Sequence, residues 1–223
     1  MTDQFWLWLG FACMALGSAV ILLKGGRKTH QEEIATILHG TVPIIAACSY
    51  FAMAVGQGSI LLHTNAGGGH DYVFYFARYI DWAFTTPLLL TALSLTAMHA
   101  KVRRPGLLLG IIVADVLMIV TALFFGLSSE AWIKWTWFLI SCGAFLAVYY
   151  VIWVGLREES EKQEADVTAT YKRNAVILSV IWFIYPIVLL FDPEGLGVLG
   201  STATVAIIAV IDVAAKVAYG YFS

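Results

Sequence analysis

Seven long stretches of this chain carry almost no charge, and that feature sets the solvent in which it can fold. They run over about Phe5–Leu23, Ile34–Leu62, Tyr72–Met98, Pro105–Leu127, Ala131–Leu156, Val167–Phe191 and Gly200–Phe222. As helices rising roughly 1.5 Å per residue, each can cross a hydrocarbon layer of about 30 Å. Period-two alternation is absent, which argues against a membrane β-barrel. Charged residues are 13% of the chain, against about 25% in soluble domains. The expectation is an all-α membrane protein: one seven-transmembrane-helix bundle over residues 1–223, with lipid as its solvent. The first run lacks a preceding basic segment and is long enough to span, so no cleavable signal peptide is expected. A net charge of −2 offers nothing to nucleic acid. Cys13, Cys48 and Cys142 lie within apolar runs, without disulfide or metal spacing.

Basic residues orient the chain. Lys24, Arg27 and Lys28 lie between the first two runs, Lys101, Arg103 and Arg104 between the third and fourth, and Arg157, Lys162, Lys172 and Arg173 between the fifth and sixth. All ten fall on one side of a seven-helix bundle. The positive-inside rule makes that side cytoplasmic, with the N-terminus outside and the C-terminus cytoplasmic. Lys134, near the opposite end of its run, is expected to snorkel. The run Arg157 to Asp166 is expected to be a solvated loop. His30, His39, His63, His70 and His99 are expected in surface or interface roles, with no metal spacing.

Arg78, Asp81, Asp212 and Lys216 lie inside apolar runs, as does Asp115. Each charge at bilayer depth costs about 3 kcal/mol on insertion scales, so these groups must face one another or water. Arg78 and Asp81 are three apart and Asp212 and Lys216 four apart, so each pair shares a helix face. A purely structural ion-pair network is the plain alternative, but buried ion pairs stabilise weakly. A desolvated lysine loses its proton more readily and can form a Schiff base with an aldehyde, which two aspartates could then counter. Tyr50, Trp82, Trp137, Trp182, Tyr185 and Pro186 would suit a long, flat, apolar cofactor.

These residues carry a resemblance. RYIDWAFTTPLLL (Arg78 to Leu90) resembles helix C of microbial (type 1) rhodopsins of the bacteriorhodopsin kind. DVAAK (Asp212 to Lys216) resembles their retinal-lysine motif, WFIYP (Trp182 to Pro186) their helix F pocket motif, and EGLG (Glu194 to Gly197) the loop that follows. The resemblance implies all-trans retinal bound covalently to Lys216 as a protonated Schiff base, with Asp81 as counterion and proton acceptor and Asp212 as second counterion. It implies Thr85 as hydrogen-bond partner of Asp81, Tyr50 and Tyr185 as partners of Asp212, and Arg78 as stabiliser of the paired carboxylates. Trp82, Trp137 and Trp182 would sandwich the polyene. Thr86, Leu89, Met118, Phe138, Ser141, Phe145, Pro186 and Ala215 would line the pocket, with a neutral Asp115 near the ring. His63 to Asp71 has the size of the hairpin that covers the retinal site in relatives. Leu89 and Ala215 lean toward green absorption.

The pattern departs from that of outward pumps at one decisive place. The cytoplasmic proton donor, eleven residues after the counterion, is here Ala92, which carries no proton. Glu194 matches one carboxylate of a release pair, Thr204 stands where its partner would be, and Asp192 is expected only to solvate a loop. Leu189 replaces a pocket aromatic, and the bulky Phe138 argues against a carotenoid antenna. Three readings stay open: a slow outward proton pump, a photosensor signalling through a transducer, and a light-gated channel. None is an enzyme. A prokaryotic plasma membrane, lipid contacts and a homo-oligomer are expected.

Overall fold

The computed structural model of the protein describes residues 2–65, 68–99 and 104–223. Lys101 and Arg103, two of the basic residues expected on the cytoplasmic side, lie outside the described residues, as do Ala66 and Gly67 of the expected hairpin. The helices are α1 (Asp3–Lys24), α2 (His30–Ala54), α3 (Phe76–Ala97), α4 (Pro105–Leu127), α5 (Ala131–Ser160), α6 (Ala165–Phe191) and α7 (Ser201–Phe222). All seven are long and apolar enough to cross a membrane. Successive helices pack side by side and α7 returns against α1, closing a ring, while α3 also touches α6 across its middle. Large apolar side chains such as Leu16, Leu139 and Phe183 face outward, which suits lipid. The buried acids and bases face inward.

Two expected boundaries shift. The runs over 34–62 and 72–98 were each expected as one helix, but α2 stops at Ala54 and α3 begins at Phe76. Between them lie β1 (Ile60–Thr64) and β2 (His70–Phe74), paired antiparallel with Leu62 opposite Tyr72. Glycine ends α2: Gly56 takes φ 79, and the N–H groups of Gln57 and Gly58 turn back to Ala52 O. Tyr72 and Phe74 alternate with exposed neighbours and roof one end of the bundle, so a short period-two segment hides inside a run that hydropathy reads as continuous.

That end, called the hairpin end, holds the start of α1, α3, α5 and α7. The basic end holds Lys24, Arg27, Lys28, Arg104 and Arg157. There the expected solvated loop is in part helix: α5 continues to Ser160, and Glu159 and Ser160 are buried, with Glu159 paired to Lys162 at 2.8 Å and to Arg104 at 3.4 Å. His39, expected in a surface or interface role, is buried between α2 and α7. Two segments have the wider π-helical turn, Val151–Leu156 in α5 and Ala214–Ala218 in α7, the latter centred on Lys216.

Asp3 ties the hairpin end together. Its carboxylate accepts from Tyr75 at 3.1 Å, from Ser201 at 2.5 Å and from Thr202, joining α1 to α7 and to the residue that precedes α3. Hydrogen bonds to a charged group contribute about 1.5–3 kcal/mol each at most, less where water competes. Asp3→Ala is expected to lower stability by about 1–3 kcal/mol, read as a drop in the thermal midpoint of the detergent-solubilised protein, whereas Asp166→Ala at the exposed start of α6 is expected to leave it nearly unchanged.

Candidate functional site

α3 and α7 bring the ionisable residues together at mid-depth. Lys216 Nζ is in direct contact with Asp81 Oδ2 and lies 3.4 Å from Asp212 Oδ1. All three side chains are buried. Asp212 is the hub. Tyr50 of α2 donates to it at 2.8 Å, Tyr185 of α6 at 2.7 Å and Trp82 of α3 at 3.3 Å. Asp81 Oδ1 has no hydrogen-bond partner. The Thr85 hydroxyl, one turn along α3, donates to the main-chain carbonyl of Asp81 at 2.8 Å.

From Lys216 an apolar cavity of about 730 Å³, open space included, extends between α3, α4, α5 and α6. Trp82, Thr86 and Leu89 line it from α3, Met118 from α4, Phe138, Ser141 and Phe145 from α5, Trp182, Tyr185 and Pro186 from α6, and Ala215 beside Lys216 from α7. Ile119, Ala122, Phe125, Cys142 and Leu189 also line it. The motif resemblance passed over the first four, although Ala122 and Phe125 follow Met118 at helical spacing. Trp137 is placed differently from the expectation. Its ring lies 5.0 Å from Phe124 and is not part of the lining. The α5 face toward the cavity is Phe138, Ser141, Cys142 and Phe145, spaced i, i+3, i+4, i+7, and Trp137 is rotated about 100° from Phe138. At the far side the Thr86 hydroxyl contacts both Trp82 O at 2.8 Å and buried Asp115 Oδ2 at 2.7 Å. One hydroxyl has one proton, so both contacts are satisfied when Thr86 donates to Trp82 O and Asp115 carries a proton itself.

Toward the hairpin end a second cluster begins. Buried Arg78 points away from Asp81 and Asp212: its Nη1 lies 3.9 Å from Glu194, and among the described residues it makes no ion pair with the two aspartates. Glu194 also accepts from Tyr79. Asp192, expected only to solvate a loop, is fully buried. Its Oδ1 accepts from the N–H groups of Glu194 and Gly195 at 2.9 and 3.0 Å, and Oδ2 has no partner. The turn folds back on itself because Pro193 and Gly197 (φ 66) reverse the chain. Lys134 does not snorkel. It is buried and donates to Phe125 O at 3.0 Å and Glu194 O at 2.7 Å, with Nζ 4.8 Å from the Phe125 ring centre. The carbonyl of Phe125 in the last turn of α4 and that of Glu194 in the turn after α6 hold the ammonium inside. Thr204 is buried nearby with an unpartnered hydroxyl. No group of three or more His, Cys, Asp or Glu among the described residues has metal-binding geometry.

The bacteriorhodopsin-like protein family matches residues 1–223. The chain belongs to that family. It is 37% identical to archaerhodopsin-2 of Halobacterium sp. (strain aus-2), over 98% of this chain and 83% of that protein. It is 34% identical to bacteriorhodopsin of Halobacterium salinarum, over 98% and 81%. Among solved structures it resembles the thermophilic rhodopsin of Rubrobacter xylanophilus (TM-score 0.87, 36% identity, 98% of this chain and 93% of that one). It also resembles the light-driven proton pump rhodopsin of Coccomyxa subellipsoidea (TM-score 0.90, 31% identity, 98% and 94%). The chain is therefore a multi-pass membrane protein of the microbial rhodopsins, and membership implies a retinal chromophore. The cavity fits such a group: it is long, apolar, walled by Trp82 and Trp182, and ends on the amine of Lys216.

Within this rhodopsin framework the basic end is distinctive. Ala92 lines a separate cavity of about 710 Å³, open space included, with Ile34, Leu38, Leu95 and Thr96 along it and His99 and Asp166 among its lining residues. Asp166, exposed at the start of α6, is the carboxylate among those lining residues.

The hairpin-end acids respond to pH in a definable direction. Burial, the larger effect, pushes Asp192 well above the usual carboxylate range, and the neighbouring Glu194 charge adds to it. Burial also raises Glu194, against the pull of Arg78. A carboxyl with a raised folded pKa stabilises the fold most below its unfolded pKa, and that contribution is lost as pH rises through the folded value. The thermal midpoint is expected to fall as pH rises above about 4–5, and Asp192→Asn is expected to flatten that fall. An unchanged slope in Asp192→Asn would show that Asp192 is already ionised in the fold.

Proposed function

We propose that the protein is a light-driven outward proton pump that uses Lys216 as retinal attachment site and Asp81 as proton acceptor, and that works without a cytoplasmic carboxylate donor. The observation that carries this reading is Lys216 Nζ held between Asp81 and Asp212 at the end of an apolar cavity. Joined to Lys216 Nζ, all-trans retinal supplies light absorption and an isomerisation that re-aims the N–H bond. The side chains then divide the work. Trp82, Trp182 and Pro186 confine the chain of the cofactor, and Phe138, Phe145 and Met118 its far end. Asp212 has its oxygens engaged by three donors, whereas Asp81 keeps an oxygen without a partner and is the acceptor for the proton from Nζ. Protonating Asp81 removes a negative charge inward of Arg78. The guanidinium is then drawn more completely toward Glu194 and Asp192, which favours ionisation there and proton release at the hairpin end.

In this reading the basic end is cytoplasmic, as the positive-inside rule requires, and the membrane is a prokaryotic plasma membrane. A homo-oligomer in lipid is the working assembly, and the bulk of Phe138, one of the cavity-lining residues, argues against a carotenoid antenna. The return proton enters from the side of Ala92 by water or by another group. The late photocycle is therefore slow, and its rate falls as pH rises.

Illuminating retinal-supplied cells and recording external pH tests the reading. Acidification that vanishes with an uncoupler is expected. A normal photocycle with no pH change would overturn pumping and favour the sensor. Asp81→Asn is expected to abolish acidification while leaving a pigment, and Lys216→Ala to abolish the pigment. Ala92→Asp is expected to speed reprotonation of Lys216 Nζ by at least about tenfold and weaken its pH dependence, in line with the gain from a positioned acid.

A further inference from the structure

The last turn of α4 borders two sites at once. The Phe125 ring is fully buried, lines the cofactor cavity and packs on Phe138 of the same wall, with 5.2 Å between ring centres. Phe125 is seven residues beyond Met118, about 10 Å along the helix toward the hairpin end. Its neighbour Gly126 abuts the acid cluster: a methyl group there would stand 2.7 Å from Glu194 Oε2 and would overlap Phe74. One residue step along α4 therefore leads from the cavity wall to a buried carboxylate. The last carbonyls of a helix have no partner further along it, and two here are met by side chains. Tyr72 of β2 donates to Gly126 O, and Lys134 of α5 donates to Phe125 O at 3.0 Å. The same ammonium donates to Glu194 O at 2.7 Å and lies over the Phe125 and Tyr72 rings, 4.8 and 5.4 Å from their centres. Lys134 is thus closed in by two carbonyls and two aromatic faces. Taking an ammonium out of water costs free energy that an apolar side chain packed on Phe125 would avoid.

We propose that Lys134 is a positioning residue that couples the cofactor cavity to the acids of the hairpin end: through the last turn of α4 it makes the placement of Glu194 depend on what presses against Phe125. The proposal rests on the reading of the hairpin end as the side of proton release and of the wall formed by α4 and α5 as the seat of the retinal ring. Two effects run through the one ammonium. Its hydrogen bonds tie Phe125 O to Glu194 O, so a displacement of the α4 turn passes to the main chain that carries Glu194 and Asp192. Its charge acts on the carboxyl as well. Burial holds Glu194 above the usual carboxylate range, and Arg78, the Tyr79 hydroxyl and Lys134 pull it back. His70 of β2 holds the same turn from outside, with Nε2 2.8 Å from Pro193 O. Lys134 does not line the cavity, so it responds to the cofactor only through Phe125. Arg78 answers to the charge on Asp81, whereas Lys134 answers to the shape of what fills the cavity.

Two measurements test this. The first uses retinal-free protein in lipid nanodiscs, labelled with nitrogen-15 lysine, with the Lys134 signal assigned by its loss in Lys134→Met. An ammonium exchanging protons with water far more slowly than exposed Lys24 is expected. Its signal is expected to move when all-trans retinal is added, and to move less with an acyclic analogue that lacks the ring. A signal that exchanges like Lys24, or that ignores both retinals, would overturn the proposal. The second is flash spectroscopy of the retinal-loaded protein with a pH-indicating dye, timing proton release against loss of the proton from Lys216 Nζ. Lys134→Met is expected to leave that loss unchanged and to delay release by about tenfold, as an acid ten times weaker would. The acyclic analogue is expected to delay release in the wild type and in Lys134→Arg, which keeps the charge and the donors. It is expected to add nothing in Lys134→Met, or in Phe125→Leu, which cuts the link at its other end. Delays that simply add, or an unchanged release time in Lys134→Met, would overturn the coupling alone. A wild type that deprotonates Lys216 but releases no proton would overturn the outward-pump reading, and the nitrogen-15 signal then decides the coupling by itself.

Discussion

The contact of Lys216 with Asp81 and Asp212 is the interaction on which the rest depends. Three ionisable groups at bilayer depth are tolerated only when they face one another, since each costs about 3 kcal/mol on insertion scales. Satisfying them sets the geometry of four helices. Tyr50 of α2, Trp82 of α3 and Tyr185 of α6 all donate to Asp212 on α7. The register of α3 against α7 follows, because Asp81 must reach the same lysine. A slip of one residue on either helix would rotate a carboxylate by about 100° into lipid or apolar packing. The cavity for the cofactor is what remains when these helices are held apart by large aromatic side chains.

The two halves of the bundle are unlike. From Lys216 toward the hairpin end the interior is polar, through Arg78, Tyr79, Glu194, Asp192 and Lys134. Toward the basic end it is apolar, with Leu89, Leu93 and Ala92 on α3. In the proposed reading, a proton leaving Lys216 therefore meets acceptors on the hairpin side. That asymmetry is a property of the ground state and gives a direction to transfer before any movement.

Much of this was legible in the chain itself. Hydropathy locates seven spans because lipid demands about 20 apolar residues per crossing, and the spacing of Asp212 and Lys216 places both on one face. Helix ends were less legible. Ile60–Leu62 and Tyr72–Phe74 are as apolar as the helices beside them, yet glycines at 56 and 58 release the chain into a hairpin whose alternate residues cover the bundle. Trp137 and Phe138 were both placed in the pocket by resemblance, but the phase of α5 puts Phe138 on the cavity wall and Trp137 against Phe124.

The sequence by itself determined the class of fold, the solvent and the identity of the charged centre, because those follow from local periodicity and from the cost of charge in hydrocarbon. Tertiary structure decided which polar groups are buried and whom they meet. Asp192 and Lys134 look like loop and interface charges when read along the chain. They become part of the interior only because a glycine-bearing turn after α6 folds over the ends of α4 and α5 and offers them main-chain partners. His39 is likewise ordinary in the chain. It is buried because α7, far away in sequence, sets a glycine and a tyrosine against it. Such contacts join residues 60 to 180 positions apart, and no local pattern encodes a pairing that exists only once the ring of helices has closed.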